Sequence, residues 1–161
     1  MAVDVVIEDP RWADAGLPAL AAQAVAATLG HIGLEPDAWE VTVLGCDDAR
    51  IIELNSAFRG KARPTNVLSW PSAERAASRA GAVPPLPSGD PELGDVALAY
   101  ETCQREAAEQ QKLPDQHNLH LLVHGVLHLL GYDHEEDSDG DLMESQEIAI
   151  LAALGVPNPY D

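Results

Sequence analysis

Four histidines, His117, His120, His124 and His128, fall at i, i+3, i+7 and i+11 of an otherwise apolar stretch. On a helix they line one side. Burying imidazoles costs free energy unless each finds a partner, and a shared cation can partner several at once. His124 and His128 are one turn apart, about 5–6 Å at Cβ, and can converge on one ion. Gly131 can adopt the left-handed conformation that ends a helix and turns the chain sharply, which brings His134 back toward the other two. Three neutral nitrogen ligands at about 2.0–2.1 Å leave a fourth tetrahedral position for water, the mark of a catalytic rather than a structural site. Zinc suits such a donor set best, one ion per chain, although nickel or cobalt can also occupy it. Cys103 is a conceivable fourth ligand, but nothing in the sequence places it nearby. A zinc ion here would activate water near neutral pH and polarise a phosphoryl or carbonyl oxygen, which is hydrolytic chemistry.

The series His124, Gly125, His128, Gly131, His134 follows the H-E-x-x-H-x-x-G-x-x-H pattern of metzincin proteases with one departure. The glutamate that serves those enzymes as general base is Gly125 here, and glycine has no side chain to move a proton. Asp133, His120 and Glu144 are the alternative proton carriers. Against that, Asp133 reads as a partner orienting a ligand imidazole, His120 as a core histidine, and Glu144 as a solvated acid.

Composition narrows the substrate. The formal net charge of -18 argues against unspecific binding to nucleic acid, because phosphate contacts come mainly from Lys and Arg. The charge is polarised, however. Six of the nine basic residues (Arg50, Arg59, Lys61, Arg63, Arg75, Arg79) lie between 50 and 79 against Glu53 and Glu74, a net +4, whereas 133 to 147 carries eight acids and no Lys or Arg. Such a molecule can hold an anion on one side. Cys46 and Cys103 have no CxxC spacing and read as buried thiols in a reducing compartment. The start, MAVDVVIEDP, lacks a basic n-region, and no apolar run approaches the roughly 20 residues of a membrane span. A cytoplasmic location is expected.

The elements that must position these residues are readable from periodicity. Strands are expected at Val3–Ile7, Trp39–Leu44, Asn66–Trp70 and Gly94–Tyr100. Helices are expected at 14–29 with Gly30 as the stop, from Asp47 or Asp48 to Gly60, at 101–112, at about 115–130, and at about 138–154. The helix at 115–130 is apolar nearly all round and belongs in the middle of the fold. Residues 71–93 hold five of the twelve prolines and read as a mobile surface insertion in one domain of 161 residues. The fold class is α+β: a mixed sheet of about four strands with about five helices around one buried helix carrying the metal ligands.

The segment HLLVHGVLHLLGYDH, residues 120 to 134, resembles the signature of the YbeY family, bacterial endoribonucleases of ribosomal-RNA maturation. LNSAFRGKARPTNVLSWP at 54–71 and LGDVALAYETCQREA at 93–107 are similar to two further blocks of that family. The resemblance implies zinc held by His124, His128 and His134, a functional arginine at Arg59, and action on 16S ribosomal RNA or in ribosome quality control. Ribosomal RNA and the small ribosomal subunit or its proteins would be the partners, with no DNA. Acids are usual in the family where this chain has Ala62 and Asn66, and Phe is usual where it has Trp70. Arg59 precedes a helix-ending glycine, where any cation complements the helix dipole. Together with the local positive charge, the resemblance favours a guanidinium fork on phosphate instead. Lys61 and Arg63 read as phosphate-positioning groups, and Trp70 as a core residue more than a stacking platform. Two alternatives from other classes remain: a metallopeptidase-like hydrolase, and a ribosome-associated factor whose zinc is structural.

Overall fold

The computed structural model describes residues 3–59 and 65–161, without the side chains of residues 58 and 59. The chain runs β1 (Val3–Ile7), α1 (Arg11–Asp14), α2 (Leu17–Ile32), a 3₁₀ turn at Pro36–Ala38, β2 (Glu40–Cys46), α3 (Asp48–Arg59), β3 (Val67–Pro71), β4 (Glu92–Ala99), α4 (Tyr100–Glu109), α5 (Pro114–Leu129) and α6 (Asp137–Ala153). The sheet has the order β1-β2-β4-β3. β1, β2 and β4 are parallel, and β3 pairs antiparallel to β4 with Trp70 opposite Asp95. This is the expected α+β fold with a mixed four-stranded sheet.

Two features of the helices differ from expectation. Among the described residues six α-helices form, because the stretch from 11 to 32 is broken in two at Gly16, which has φ 76°, ahead of Pro18, whose ring lacks a backbone donor and suits the first turn of a new helix. The stop of α2 is Gly33, not Gly30. Gly33 has φ 95° in the left-handed region, and continuing to it lets Ile32 pack on the core; Gly30 stays helical.

The alternation along the strands gives the sheet two apolar faces. Val41, Val43, Val96 and Leu98 join α2 and α5 in the larger core, while Leu68, Ala97 and Ala99 join Cys46 and Ile51 on the α3 side. α5 packs against α2, α4, α6, β3 and β4. Its apolar sides are buried, from Leu119 through Leu129, but the histidine side keeps partial access to solvent at His120, His124 and His128. Among the described residues no helix is long and apolar enough to cross a membrane.

Residues 72–91, between β3 and β4, form turns and bends that are tied down at several points. Ser72 donates its amide to Leu93 O and its hydroxyl to Glu92 O. The Gly81 amide donates to Asp139 Oδ1 at 2.7 Å, at the start of α6. Arg75 donates to Leu93 O at 3.0 Å and to Leu129 O at 2.9 Å. A cation thus sits on the carbonyl end of α5, where the helix dipole favours it.

Candidate metal centre

The site is built by the end of α5. Gly131 N donates to His128 O and Tyr132 N to Leu127 O, both at 3.1 Å, which is the paired hydrogen-bond pattern of a Schellman helix stop. Gly131 has φ 105°, and a Cβ there would collide with the Arg75 carbonyl, so both the turn and the covering segment require glycine. Asp133 Oδ1 then accepts the His134 amide at 2.7 Å. The carboxylate therefore shapes the backbone of this turn rather than orienting an imidazole.

The result is a near-equilateral set of rings. Centroid separations are 5.3 Å for His124–His128, 5.5 Å for His124–His134 and 5.4 Å for His128–His134. One nitrogen from each lies within 4.8 Å of the others. Tetrahedral bonds of about 2.0–2.1 Å place neighbouring nitrogens roughly 3.4 Å apart, within reach of small side-chain rotations. The donor set fits a borderline-soft divalent ion. Cys103 stands elsewhere: it is buried, its thiol faces Asn66 O at 3.6 Å, and the candidate ligand group among the described residues is the three histidines. Burial pushes both thiols up, Cys46 to about 12, so they stay protonated and inert as expected of buried cysteines.

Gly125, beside His124, points at the sheet. A Cβ there would stand 2.8 Å from Val96 Cγ1 and 3.5 Å from Val67 Cγ2. The position that carries a glutamate in metzincins has no room for one here.

The carboxylate that does reach the histidines was not among the expected proton carriers. Glu147 of α6 is 1% exposed; its Oε1 lies 2.6 Å from His120 Nε2 and its Oε2 3.5 Å from His124 Nδ1. Tyr160 donates its hydroxyl to Glu147 Oε1 at 2.9 Å. Burial pushes the Glu147 carboxyl up, but the hydrogen bonds and charge of His120 and His124 outweigh it and hold it near about 2. A signal for Glu147 existed: it lies on the same helical stripe as Met143, Ile150 and Leu151, an acid at a core position. His120, one turn before the cluster, is 14% exposed and pairs with Glu147, so it is not the core histidine expected. His117 pairs with Glu106 Oε1 at 2.9 Å, and the same oxygen accepts from Asn66 Nδ2 at 3.0 Å. Asn66 thereby serves a structural pairing between β3 and α4.

The basic segment is less available than its composition suggests. Arg50 is paired with Glu8 at 3.2 Å and Glu53 at 3.1 Å, and Arg75 is spent on backbone carbonyls. Arg59 ends α3, but its side chain, with Lys61 and Arg63, lies outside the described residues. Beside the histidines a cavity of about 440 Å³ opens, lined by Ser72, Glu74, His128, Tyr132 and Asp133 among others. Trp70, partly buried, packs against the core cluster on the α3 side, as expected, and also borders a separate hollow of about 470 Å³ with Val6, Thr42, Leu44, Leu54 and Asp95.

A helix-borne histidine pair, a glycine turn and a returning third histidine define a protein with a three-histidine cluster that could hold a metal ion. The family described as endoribonuclease YbeY matches residues 7–155, and the chain belongs to that family. It is 61% identical over 164 residues to the endoribonuclease YbeY of Cereibacter sphaeroides, covering 98% of each chain. It is 55% identical to that of Ruegeria sp. (strain TM1040), covering 99% of this chain and 96% of the relative. The fold is similar to the solution structure of TM1509 from Thermotoga maritima, with a TM-score of 0.57 at 22% identity, over 99% of this chain and 95% of that one.

Proposed function

We propose that this protein is a zinc-dependent endoribonuclease. It cuts single-stranded segments of ribosomal RNA in 16S 3′-end maturation and ribosome quality control, in the cytoplasm and in company with the small ribosomal subunit. The observation that carries the reading is the convergence of His124, His128 and His134, of which His128 lines a cavity of about 440 Å³, a size suited to a small polar ligand or a nucleotide-sized group. The names of the relatives supply the substrate class.

In this reading His124, His128 and His134 hold the ion. When bound, zinc supplies Lewis acidity at a phosphoryl oxygen and a lowered pKa for water. The Schellman turn and Asp133 hold His134 in place, so the donor set is pre-organised by backbone geometry. Arg59, at the end of α3, grips a phosphate through its guanidinium fork and offsets charge that develops during transfer. Lys61 and Arg63 position the RNA backbone. Peptide hydrolysis is disfavoured, because the general-base position is filled by Gly125 packed on Val96.

The test joins zinc analysis to cleavage of a 16S precursor by the native protein, His128→Ala and Arg59→Ala. About one zinc per chain is expected in the native protein and in Arg59→Ala, and little in His128→Ala. Cleavage should fall in both variants. Equal cleavage by all three would identify a contaminating nuclease and overturn the enzymatic reading.

A further inference from the structure

α6 turns a stripe of Met143, Ile150 and Leu151 toward the core, and Glu147 stands in the middle of it, 1% exposed. A carboxylate so placed is tolerated only when its oxygens are satisfied. Each oxygen has a distinct task. Oε1 receives His120 Nε2 at 2.6 Å and the Tyr160 hydroxyl at 2.9 Å, while Oε2 faces His124 Nδ1 at 3.5 Å.

Resting on the metal-site reading above, we propose that Glu147 is a positioning residue of the metal centre. It accepts the Nδ1–H of His124 and so selects the tautomer that leaves Nε2 to face the ion. Imidazole ligands commonly donate their second nitrogen to a carboxylate, which fixes the ring and raises its basicity. His120 and Tyr160 hold the opposite oxygen and keep the carboxylate aimed. Tyr160 comes from the segment after α6, which is pinned where Lys112 Nζ donates to Pro159 O at 2.8 Å and the Tyr160 amide to Asn158 Oδ1 at 2.9 Å. Its ring stands edge-on to His120, centroids 5.4 Å apart. The C-terminal segment is thereby part of the apparatus that orients a ligand on α5.

Zinc affinity by competition with a chromophoric chelator, and the visible spectrum of the cobalt-substituted protein, test this in Glu147→Gln and Tyr160→Phe. Metal-free thermal unfolding runs alongside. Glu147→Gln should bind zinc about 10–100-fold more weakly, the range for such outer partners, with an altered cobalt spectrum and a cooperative metal-free transition. Tyr160→Phe should weaken zinc several-fold; its half-exposed ring makes it foldable even if Glu147→Gln is not. Native zinc affinity and cobalt spectrum in every variant that folds would overturn the proposal and leave Glu147 a core residue only. Failure of the metal reading itself looks different: the native protein then binds neither ion.

Discussion

A Cβ added to Gly125 would approach Cγ1 of Val96 to 2.8 Å, although the two residues belong to different layers. Glycine at 125 lets α5 lie close on the sheet. Alanine favours a helix by about 1 kcal/mol, but overpacking against a stiff β-branched neighbour costs about 1–3 kcal/mol. Gly125→Ala should therefore lower the melting temperature. Combining it with Val96→Ala should cost less than the sum of the two single changes, because the clash is then relieved. Gly125→Glu should unfold or strongly destabilise the protein and yield no peptidase activity, assayed on a generic peptide substrate.

Arg75 should behave as a structural residue, not an RNA contact. Hydrogen bonds from a charged donor contribute about 1.5–3 kcal/mol, and Arg75 makes two to the carbonyls of Leu93 and Leu129. Denaturant unfolding of Arg75→Ala should show a loss of about that size. Zinc affinity should drop with it, since the same segment covers the Gly131 turn. An unchanged midpoint would contradict the assignment.

RNA affinity should separate the basic residues into two sets. Arg50→Ala removes a guanidinium already held by Glu8 and Glu53 and should leave binding to a single-stranded RNA within twofold. Lys61→Ala and Arg63→Ala should each weaken it and reduce the slope of log affinity on log salt by about 0.7, the value for one phosphate contact on a single strand. A parallel drop for Arg50 would restore the whole segment as the RNA surface.

Acid should destabilise the fold through His117. Burial lowers its pKa below the ordinary 6.5, outweighing the hydrogen bond and charge of Glu106, with His120 and Lys112 adding to the depression. The unfolded chain then binds more protons than the folded one, so the contribution is fully present above 6.5 and is lost as pH falls through that value toward the lowered pKa. Replacement by Gln should flatten the pH dependence of stability below pH 6.5. An identical pH profile in His117→Gln would rule this origin out.

Chelation should be felt as instability as well as inactivity. At a hundredfold excess over Kd a bound ion adds about 2.7 kcal/mol, roughly 5–10 °C in melting temperature for a chain of this size. EDTA should remove that increment from the native protein and have no effect on His128→Ala.

By itself the sequence determined the three-histidine cluster, because everything that makes it is local. Two of the histidines share a helix face, a glycine stops the helix, and the third follows within one turn of chain, so periodicity and one backbone rule suffice. The elements were legible on the same footing, except at the end of α2, where Gly30 is the expected stop and packing of Ile32 carries the helix on to Gly33. What surrounds the cluster was decided only in three dimensions. Glu147 and Tyr160 meet His124 and His120 across 23 and 40 residues of chain, and no local pattern measures such distances. Charge counting placed Arg75 and Arg50 with the RNA-binding cations, yet the fold turned one onto the carbonyls of Leu93 in β4 and Leu129 in α5 and paired the other with a strand-end acid. Gly125 shows the division most simply. Its missing side chain was readable as a missing base, but the reason for it is the distance between α5 and β4, which only the packed layers set.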